Sequence, residues 1–263
     1  MNLIESVILG MIQGITEWLP ISSEGISSLV MINFFKKSAS EAIPTAIWLH
    51  SGTLLAALVY FRKEVIEILR NLPGYVKNVR KPSPTNKLTS FLMIATFFSA
   101  AIGAPMMLFS LDKLSFRGDI ATAAIGFFLI ITGALQFLGS RKKFIKNILI
   151  KDSVLVGIVQ AFAVLPGLSR SGLTTAALLF RKYTAKQALK LSFLMSIPLV
   201  FVAEVGLGLL KMIEFDVYSL AAVLISFVSG LLTISLLIRA AEKINFGYFC
   251  LSLGILSFIP LLI

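Results

Sequence analysis

Six apolar stretches, each long enough to cross a membrane as a helix, constrain this 263-residue chain more than any other feature. The hydrocarbon core of a bilayer is about 30 Å thick, which about 20 helical residues span. The stretches are Ala42–Phe61, Leu88–Leu111, Ile120–Leu138, Leu191–Leu210, Val217–Ile238 and Phe246–Ile263. Only 14% of the residues are charged, whereas a soluble domain has about 25%. We therefore predict an all-α polytopic membrane protein, built as one membrane domain over residues 1–263.

Two further apolar segments, Leu3–Phe35 and Ser153–Phe180, are each interrupted near the middle. Pro20 interrupts the first and Pro166 the second, and polar or charged residues with glycine follow both prolines. Proline lacks the backbone donor that continues a helix, and the polar residues after it cannot face lipid. Because the halves are too short to cross a bilayer comfortably, we predict two re-entrant helical hairpins beside the six spanning helices.

The two interrupted segments are similar to each other, which indicates an internal duplication. A Gly-x-x-Gln element at Gly10–Gln13 returns 147 residues later at Gly157–Gln160, and a Leu-Pro pair follows each. We therefore divide the chain into pseudo-repeats at residues 1–146 and 147–263. Interrupted apolar segments at corresponding places in two halves indicate a binding site near the middle of the membrane.

The basic residues predict the orientation of the chain. With this arrangement, 18 of the 24 lysines and arginines fall on one face, in the stretches Arg62–Lys87, Arg141–Lys151, Arg181–Lys190 and Arg239–Lys243. Such an excess marks the cytoplasmic side of a cell membrane. The first hairpin then enters from outside and the second from the cytoplasm, so the repeats are inverted. Orientation accounts for most of the net charge of +11, and no nucleic-acid partner is expected.

The first interruption contains polar side chains that are costly inside an apolar segment and therefore indicate function. Gln13 and Glu17 are four residues apart and share one helix face. A simple helix cap would account for Ser22 or Ser23, but not for the carboxylate of Glu17. We assign catalytic roles to Gln13, Glu17, Ser23 and Glu24, and substrate-binding roles to Ser22 and Gly25.

The second interruption is suited to an anion. An arginine, hydroxyls and glycines lie where a helix is expected to begin, at Gly167, Ser169, Arg170, Ser171, Gly172 and Thr174. A helix N-terminus offers free N–H groups and a partial positive charge, and the planar guanidinium of Arg170 matches phosphate oxygens. Alternatively, Arg170 neutralises the buried charge of Glu17 or Glu24. The two interpretations are compatible, because a resting ion pair could open for a ligand.

Together, the two interruptions predict phosphoryl transfer. Arg170 would hold the phosphate charge, Ser23 would attack or position water, and Glu17 would act as a base or metal ligand. The carboxylates of Glu17 and Glu24, together with hydroxyls and a phosphate, could also hold Mg²⁺ or Ca²⁺, because both ions prefer oxygen ligands.

His50 is the only histidine of the chain, and the sequence leaves its role open. It could act in catalysis or bind substrate, or it could serve in helix packing, where Gly52 allows close approach. Glu204 lies within a predicted span, where we interpret it as a member of a structural pair or part of an interface. The single Cys250 cannot form an intrachain disulfide.

The segments Gln13–Ser23 and Leu165–Thr174 strongly resemble the motifs of the undecaprenyl-diphosphate phosphatase family, known also for bacitracin resistance. His50–Ala56 looks like a third family element, and the resemblance covers essentially the whole chain. It implies a membrane enzyme with inverted repeats, six spans and two re-entrant hairpins, which removes the terminal phosphate from a C55 polyprenyl diphosphate. It also implies a site on the outer side of the membrane and a requirement for a divalent cation.

The resemblance also implies roles for single residues. By position, Gln13 and Glu17 match the family's acidic-motif pair. Ser23 matches the proposed nucleophile or substrate-positioning hydroxyl, and Arg170 matches the phosphate-binding arginine.

The chain departs from the family pattern at one position. The family usually reads Ser-Ser-x-Gly-His after the proline, but here Ile26 replaces the histidine and a carboxylate, Glu24, stands at the variable position. Either Glu24 or Glu17 then takes the proton, or His50 reaches in from the next span, or hydrolysis has been lost. The intact motif around Arg170 argues against a complete loss of phosphate binding.

A transporter is the alternative function, because many secondary transporters combine inverted repeats with broken helices. Such a protein would flip a polyprenyl phosphate with the same site rather than cleave it. In both cases the expected partners are a polyprenyl lipid and the surrounding membrane lipids. The sequence leaves open whether the protein forms a homo-oligomer.

Overall fold

A computed structural model describes residues 1–77, 83–111, 118–138, 147–209 and 216–261. Within these ranges the chain is helical and contains no β-strand. The helices are α1 (Leu3–Thr16), α2 (Ser23–Asn33), α3 (Ala39–Trp48), α4 (His50–Tyr60), α5 (Arg62–Lys77), α6 (Pro84–Leu111), α7 (Gly118–Leu138), α8 (Ile150–Ala161), α9 (Arg170–Phe180), α10 (Ala185–Leu209), α11 (Val217–Lys243) and α12 (Gly247–Leu256).

Within the described residues, five helical stretches are long and apolar enough to cross a membrane, which confirms a polytopic membrane protein. They are Ala39–Tyr60, Pro84–Met107, Asp119–Phe137, Ala185–Gly206 and Val217–Lys243. The sixth predicted span, Phe246–Ile263, does not form one long helix, and its last two residues lie outside the described part. Helix α12 ends at Leu256 and a short 3₁₀ turn follows at Ile259–Leu261. Pro260 lies in this turn and lacks the backbone donor that a continuous helix needs.

The predicted span Ala42–Phe61 is divided into α3 and α4 at Leu49. The hydroxyl of Ser226 on α11 donates a hydrogen bond of 3.1 Å to the Leu49 carbonyl. A Cβ at Gly52 would lie only 2.7 Å from Cβ of the same serine, so α11 approaches the break closely. The division matters for function because it places His50 at the first position of α4.

The two interrupted segments form helix, break and helix, as the sequence predicts. Helix α1 ends at Thr16 and α2 begins at Ser23. In the second segment, α8 ends at Ala161, a short 3₁₀ turn follows, and α9 begins at Arg170. Both breaks contain the predicted prolines, and both second helices begin among polar residues.

Equivalent helices of the two predicted repeats have equivalent neighbours. Helix α1 packs along α11, and α8 packs along α6. Glycine makes both contacts close, because a Cβ at Gly10 would lie 2.6 Å from the Ala222 carbonyl oxygen, and one at Gly157 would lie 2.6 Å from the Ala95 carbonyl oxygen. Small residues allow helices in membranes to approach at backbone distance.

The two ends of the second interrupted segment are tied together by a polar cluster. Asp152, near the start of α8, accepts hydrogen bonds from Arg181 Nε at 2.8 Å and from the Tyr183 hydroxyl at 3.0 Å. Burial, and then the negative charge of Asp152, raises the pKa of Tyr183 to about 12, so the phenol stays protonated as a donor. The cluster therefore fixes α8 and the end of α9 relative to each other.

Helix α5 was not predicted, because its region was interpreted as a basic connection. Val65 and Ile68 pack against the buried core, while Lys190 of α10 forms an ion pair of 2.6 Å with Glu64. The helix is therefore amphipathic, with one apolar side held on the bundle.

We expect Gly10→Ala and Gly157→Ala each to lower the free energy of unfolding by about 1–3 kcal/mol, because the added methyl group would overlap a backbone oxygen. Gly208→Ala is the matched control, since no atom lies within 4 Å of the position its Cβ would take. Thermal unfolding in detergent measures the difference. Equal melting temperatures for all three variants would contradict the close packing.

Candidate active site

An ion pair between the two interrupted segments forms the centre of the site. Nη2 of Arg170, at the start of α9, donates a hydrogen bond to Oε1 of Glu17, directly after α1. The side chains are 11% and 6% exposed, respectively. An isolated charge at this depth would be costly, so each group depends on the other. The alternative role predicted for Arg170, a resting pair with a glutamate, is therefore observed.

The other oxygen of Glu17 gathers three polar side chains. Ser23 Oγ donates to Glu17 Oε2 at 2.7 Å, and Gln13 Nε2 donates to the same oxygen at 3.0 Å. His50 Nε2 lies 3.2 Å from Oε2 and 3.4 Å from Ser23 Oγ. Four of the predicted site residues thus meet Glu17, including the histidine whose role the sequence left open.

The surroundings of His50 indicate that its ring carries a positive charge. Its Nδ1 lies 3.0 Å from the Ala46 carbonyl oxygen, which can only accept a hydrogen bond. Its Nε2 lies against the carboxylate of Glu17. Since both ring nitrogens face acceptors, both are best satisfied when both carry protons. The resting site then holds one carboxylate between an imidazolium and a guanidinium.

Serine caps shape the two turns that carry these groups. Ser22 adopts a left-handed backbone with φ of 63°, and its hydroxyl accepts from the Gly25 N–H at 3.2 Å. Ser169 caps α9 in the same way, accepting from the Gly172 N–H at 3.1 Å. The turns touch each other, because a Cβ at Gly25 would lie 2.9 Å from Cα of Gly167. The cap predicted as the alternative role for Ser22 is therefore observed.

Helix α7 supports both turns, which sequence reasoning missed. Thr132 Oγ1 accepts from the Ser169 N–H at 3.0 Å and donates to the Gly167 carbonyl at 3.1 Å. One helical turn later, Gln136 Nε2 donates to the Pro20 carbonyl at 2.6 Å. Two polar residues four apart in a largely apolar span could have indicated this role.

A cavity of about 410 Å³ begins at this centre. Its polar end contains eight of the predicted site residues, namely Glu17, Ser22, Ser23, Glu24, His50, Ser169, Arg170 and Ser171. Away from them, the wall consists mainly of small and apolar side chains of α6 and α10, which we call the apolar arm: Ala100, Gly103, Ala104, Met107, Leu199, Val200, Val202, Ala203, Gly206 and Leu209. Val202 and Leu209 are 45% and 80% exposed, so the apolar arm reaches the outer surface of the helices.

Five predicted site residues do not line the cavity but lie behind its wall: Gln13, Gly25, Gly167, Gly172 and Thr174. The Thr174 hydroxyl is hydrogen-bonded to the Arg170 carbonyl at 2.8 Å and to the Ser192 hydroxyl at 2.7 Å. These five residues support the turns of the two interrupted segments. That any of them contacts the substrate remains a prediction.

Two further positions lie outside the cavity. Ile26, at the position of the family's histidine, packs in an apolar cluster with Leu19, Ile21 and Cys250. Glu204 is on α10, and its carboxylate oxygens are buried. The side chain at position 26 therefore packs in the apolar interior of this protein. The imidazole beside Glu17 and Ser23 is that of His50.

The fold and the site define a class: multi-pass membrane proteins with an arginine–glutamate ion pair buried between two interrupted helical segments. Residues 6–258 match the family described as bacitracin resistance protein BacA, and the chain belongs to this family.

Relatives that cover nearly the whole chain agree with this assignment. A protein of Methanococcoides burtonii named undecaprenyl-diphosphatase is 49% identical over 258 residues, which cover 98% of this chain and 97% of the relative. Proteins of the same name from Methanothrix thermoacetophila and Methanopyrus kandleri are each 36% identical. The alignment with the Methanothrix thermoacetophila protein covers 98% of this chain and 96% of the relative. The alignment with the Methanopyrus kandleri protein covers 95% of this chain and 92% of the relative.

Removing one member of the central ion pair should destabilise the protein more than removing both. We expect Glu17→Gln to lower the free energy of unfolding by about 3–5 kcal/mol, because the Arg170 guanidinium would stay buried without a counter-ion. The double variant Glu17→Gln/Arg170→Met should recover most of that loss. A double-mutant cycle from unfolding in detergent measures the coupling, and additive effects would show that the pair contributes nothing.

Proposed function

We propose that this protein hydrolyses undecaprenyl diphosphate to undecaprenyl phosphate and inorganic phosphate. One observation carries the proposal: Ser23 Oγ donates a hydrogen bond to the carboxylate of Glu17, whose other oxygen is bound by Arg170. A nucleophile, a base and a phosphate-binding guanidinium thereby meet at one end of a largely apolar cavity. Relatives that share the whole chain length are named for the same reaction.

Binding of the substrate activates the base in this mechanism. At rest, Glu17 is a poor proton acceptor, because Arg170 and His50 both stabilise its negative charge. A diphosphate carries more negative charge than one carboxylate and attracts the same two cations. When Arg170 and His50 turn to the phosphate, Glu17 loses its two positively charged partners. It then becomes able to take the proton of Ser23.

The reaction then proceeds by two displacements. Ser23 Oγ attacks the terminal phosphorus, its proton passes to Glu17, and the bond from that phosphorus to the bridging oxygen breaks. The lipid monophosphate leaves, and a phosphoserine remains. Water attacks the phosphoserine, the bond from phosphorus to Ser23 Oγ breaks, and inorganic phosphate leaves with both hydrogens of the water. Glu17 returns to Ser23 the proton that it took in the first displacement. Arg170 and the charged ring of His50 stabilise the charge that develops on the transferred group.

The residues at the polar end fit a divalent cation only in part. Both oxygens of Glu17 are engaged, and the described residues contain no group of three or more His, Cys, Asp or Glu that could hold an ion. Glu24 lines the cavity, and its Oε1 has no hydrogen-bond partner. We infer that Glu24 would hold Mg²⁺ or Ca²⁺ together with diphosphate oxygens. Such a cation would neutralise phosphate charge.

The apolar arm would receive the prenyl chain. Its residues on α6 and α10 belong to helices that are apolar enough to span the membrane, and it opens at exposed side chains of α10. A chain held there would stay continuous with surrounding lipid tails, while the diphosphate reaches the polar end.

We further propose the membrane arrangement that the sequence suggests. The equivalent packing of α1 on α11 and of α8 on α6 supports two inverted repeats with re-entrant hairpins. The basic residues support a cytoplasmic location for α5 in the cell membrane, with the site open to the outer side. Helix α12 with the turn that follows it would complete six crossings.

Transport of the lipid is not supported by the relatives, which are named as diphosphatases. The site itself also contains more than binding requires, because Ser23 is already hydrogen-bonded to a base. Hydrolysis needs no closed membrane, so purified protein in detergent separates the two functions.

Purified protein in detergent should release phosphate from undecaprenyl diphosphate. We expect Arg170→Ala and Glu17→Gln each to lower kcat by about 10²–10⁴, because one removes the charge clamp and the other removes the base. Ser23→Ala should abolish the burst of lipid monophosphate. Ser28→Ala on the same helix is the matched control and should keep the rate, since its hydroxyl does not line the cavity. Unchanged release in the first three variants would disprove the assigned site.

Filling the apolar arm should weaken binding of the lipid. Positions 206 and 208 both have open space where a Cβ would lie, but only Gly206 lines the cavity. If Gly206→Phe excludes two methylene groups at about 0.8 kcal/mol each, KM for undecaprenyl diphosphate rises about tenfold. Gly208→Phe should leave KM unchanged. Inhibition by methylenediphosphonate, which has no chain, should be equal in both variants, and equal KM values would contradict this position for the chain.

A further inference from the structure

A further buried polar side chain lines the same cavity and has no role in the mechanism above. Gln160 lies on α8, is 1% exposed and contributes to the cavity wall. Its Nε2 donates to Ser99 Oγ at 2.9 Å, whereas its Oε1 has no hydrogen-bond partner. A buried acceptor without a partner costs about 1–3 kcal/mol, which indicates that a ligand meets it.

The hydrogen bonds of Ser99 determine which way the amide of Gln160 is turned. Ser99 Oγ lies 2.8 Å from the Ala95 carbonyl oxygen and 2.9 Å from that of Gly157. The single proton of the hydroxyl is used by these acceptors, so toward Gln160 the hydroxyl can only accept. The amide therefore presents its N–H to Ser99, and the carbonyl oxygen is the atom left over.

An amide carbonyl cannot donate to a phosphate, so its partner must bring a positive charge or a proton. Glu24, on the other interrupted segment, gives the same cavity a second oxygen without a partner. Carboxylate and amide carbonyl oxygens are ligands that Mg²⁺ and Ca²⁺ prefer, and Mg²⁺ commonly takes only one or two protein ligands beside phosphate oxygens.

We propose that Glu24 and Gln160 together would hold the divalent cation and that oxygens of the diphosphate would be its other ligands. Glu17 is not a ligand in this proposal. The inference rests on the proposed function, because the diphosphate supplies the remaining oxygens. Glu17 is assigned the role of the base, and Ser23 and Gln13 both donate hydrogen bonds to its Oε2. The cation ligands and the base are thereby separate groups.

The test measures how strongly a cation promotes binding of a diphosphate that cannot be hydrolysed. Radiolabelled methylenediphosphonate is bound to the full-length protein in detergent, with and without Mn²⁺. Without Mn²⁺, Arg170 should still hold it in the wild type, Glu24→Gln and Gln160→Leu, and this binding is the reference for each protein. With Mn²⁺, the wild type should bind at least about tenfold tighter, and both variants should lose that gain.

Two further variants make the result specific. Gln160→Glu adds a charged ligand of the same length and should increase the gain from Mn²⁺ several-fold, which a merely structural role of Gln160 would not produce. It also carries the test if Gln160→Leu does not fold. Glu204→Gln is the matched control, because this carboxylate does not line the cavity. It should leave the gain unchanged.

The outcomes separate this inference from the proposed function. An equal gain from Mn²⁺ in the wild type, Gln160→Leu and Gln160→Glu overturns the role of Gln160, while phosphate release continues to support the diphosphatase. If the wild type neither binds methylenediphosphonate nor releases phosphate from undecaprenyl diphosphate, the proposed function fails and the cation site fails with it.

Discussion

The ion pair between Glu17 and Arg170 is the interaction on which the rest of the structure depends. It joins two segments that are 153 residues apart in sequence, and it neutralises both charges at a depth where neither could remain alone. In the proposed mechanism, the same pair keeps the site inactive at rest and makes it responsive to substrate. A phosphate would compete for Arg170, and the carboxylate that it would release lies 2.7 Å from the hydroxyl that must lose a proton.

The breaks that position this pair create a second requirement, because irregular backbone at membrane depth needs hydrogen-bond partners. Ser22 and Ser169 satisfy the N–H groups at the starts of α2 and α9. Thr132 and Gln136 of α7 satisfy groups in the two turns. One helix therefore sets the height of both turns, and the guanidinium and carboxylate meet as a result.

Much of this arrangement could be predicted from the sequence, because interrupted apolar segments and buried charges have few structural solutions. The breaks, and the meeting of Arg170 with Glu17, follow from such rules. The division of the first predicted span, Ala42–Phe61, at Leu49 could not be predicted, since it depends on a hydroxyl of α11, Ser226. Nor could the support from Thr132, because sequence shows that a residue is polar but not which distant turn it faces.

The chain also shows how a lost side chain changes the interpretation of a motif. Position 26 carries isoleucine and belongs to an apolar cluster, so the imidazole beside Ser23 is supplied by His50. Sequence alone left this as one of several alternatives. The distances favour it, because the ring of His50 reaches both Ser23 and Glu17, whereas Oε1 of Glu24 has no hydrogen-bond partner.

The most direct measurement is an experimental structure of the protein with methylenediphosphonate bound in a membrane mimic. The account predicts that Arg170 has left Glu17 for the terminal phosphonate, with Ser23 Oγ facing its phosphorus and still hydrogen-bonded to Glu17. A structure in which Arg170 remains on Glu17 while the diphosphonate binds elsewhere would contradict the central claim.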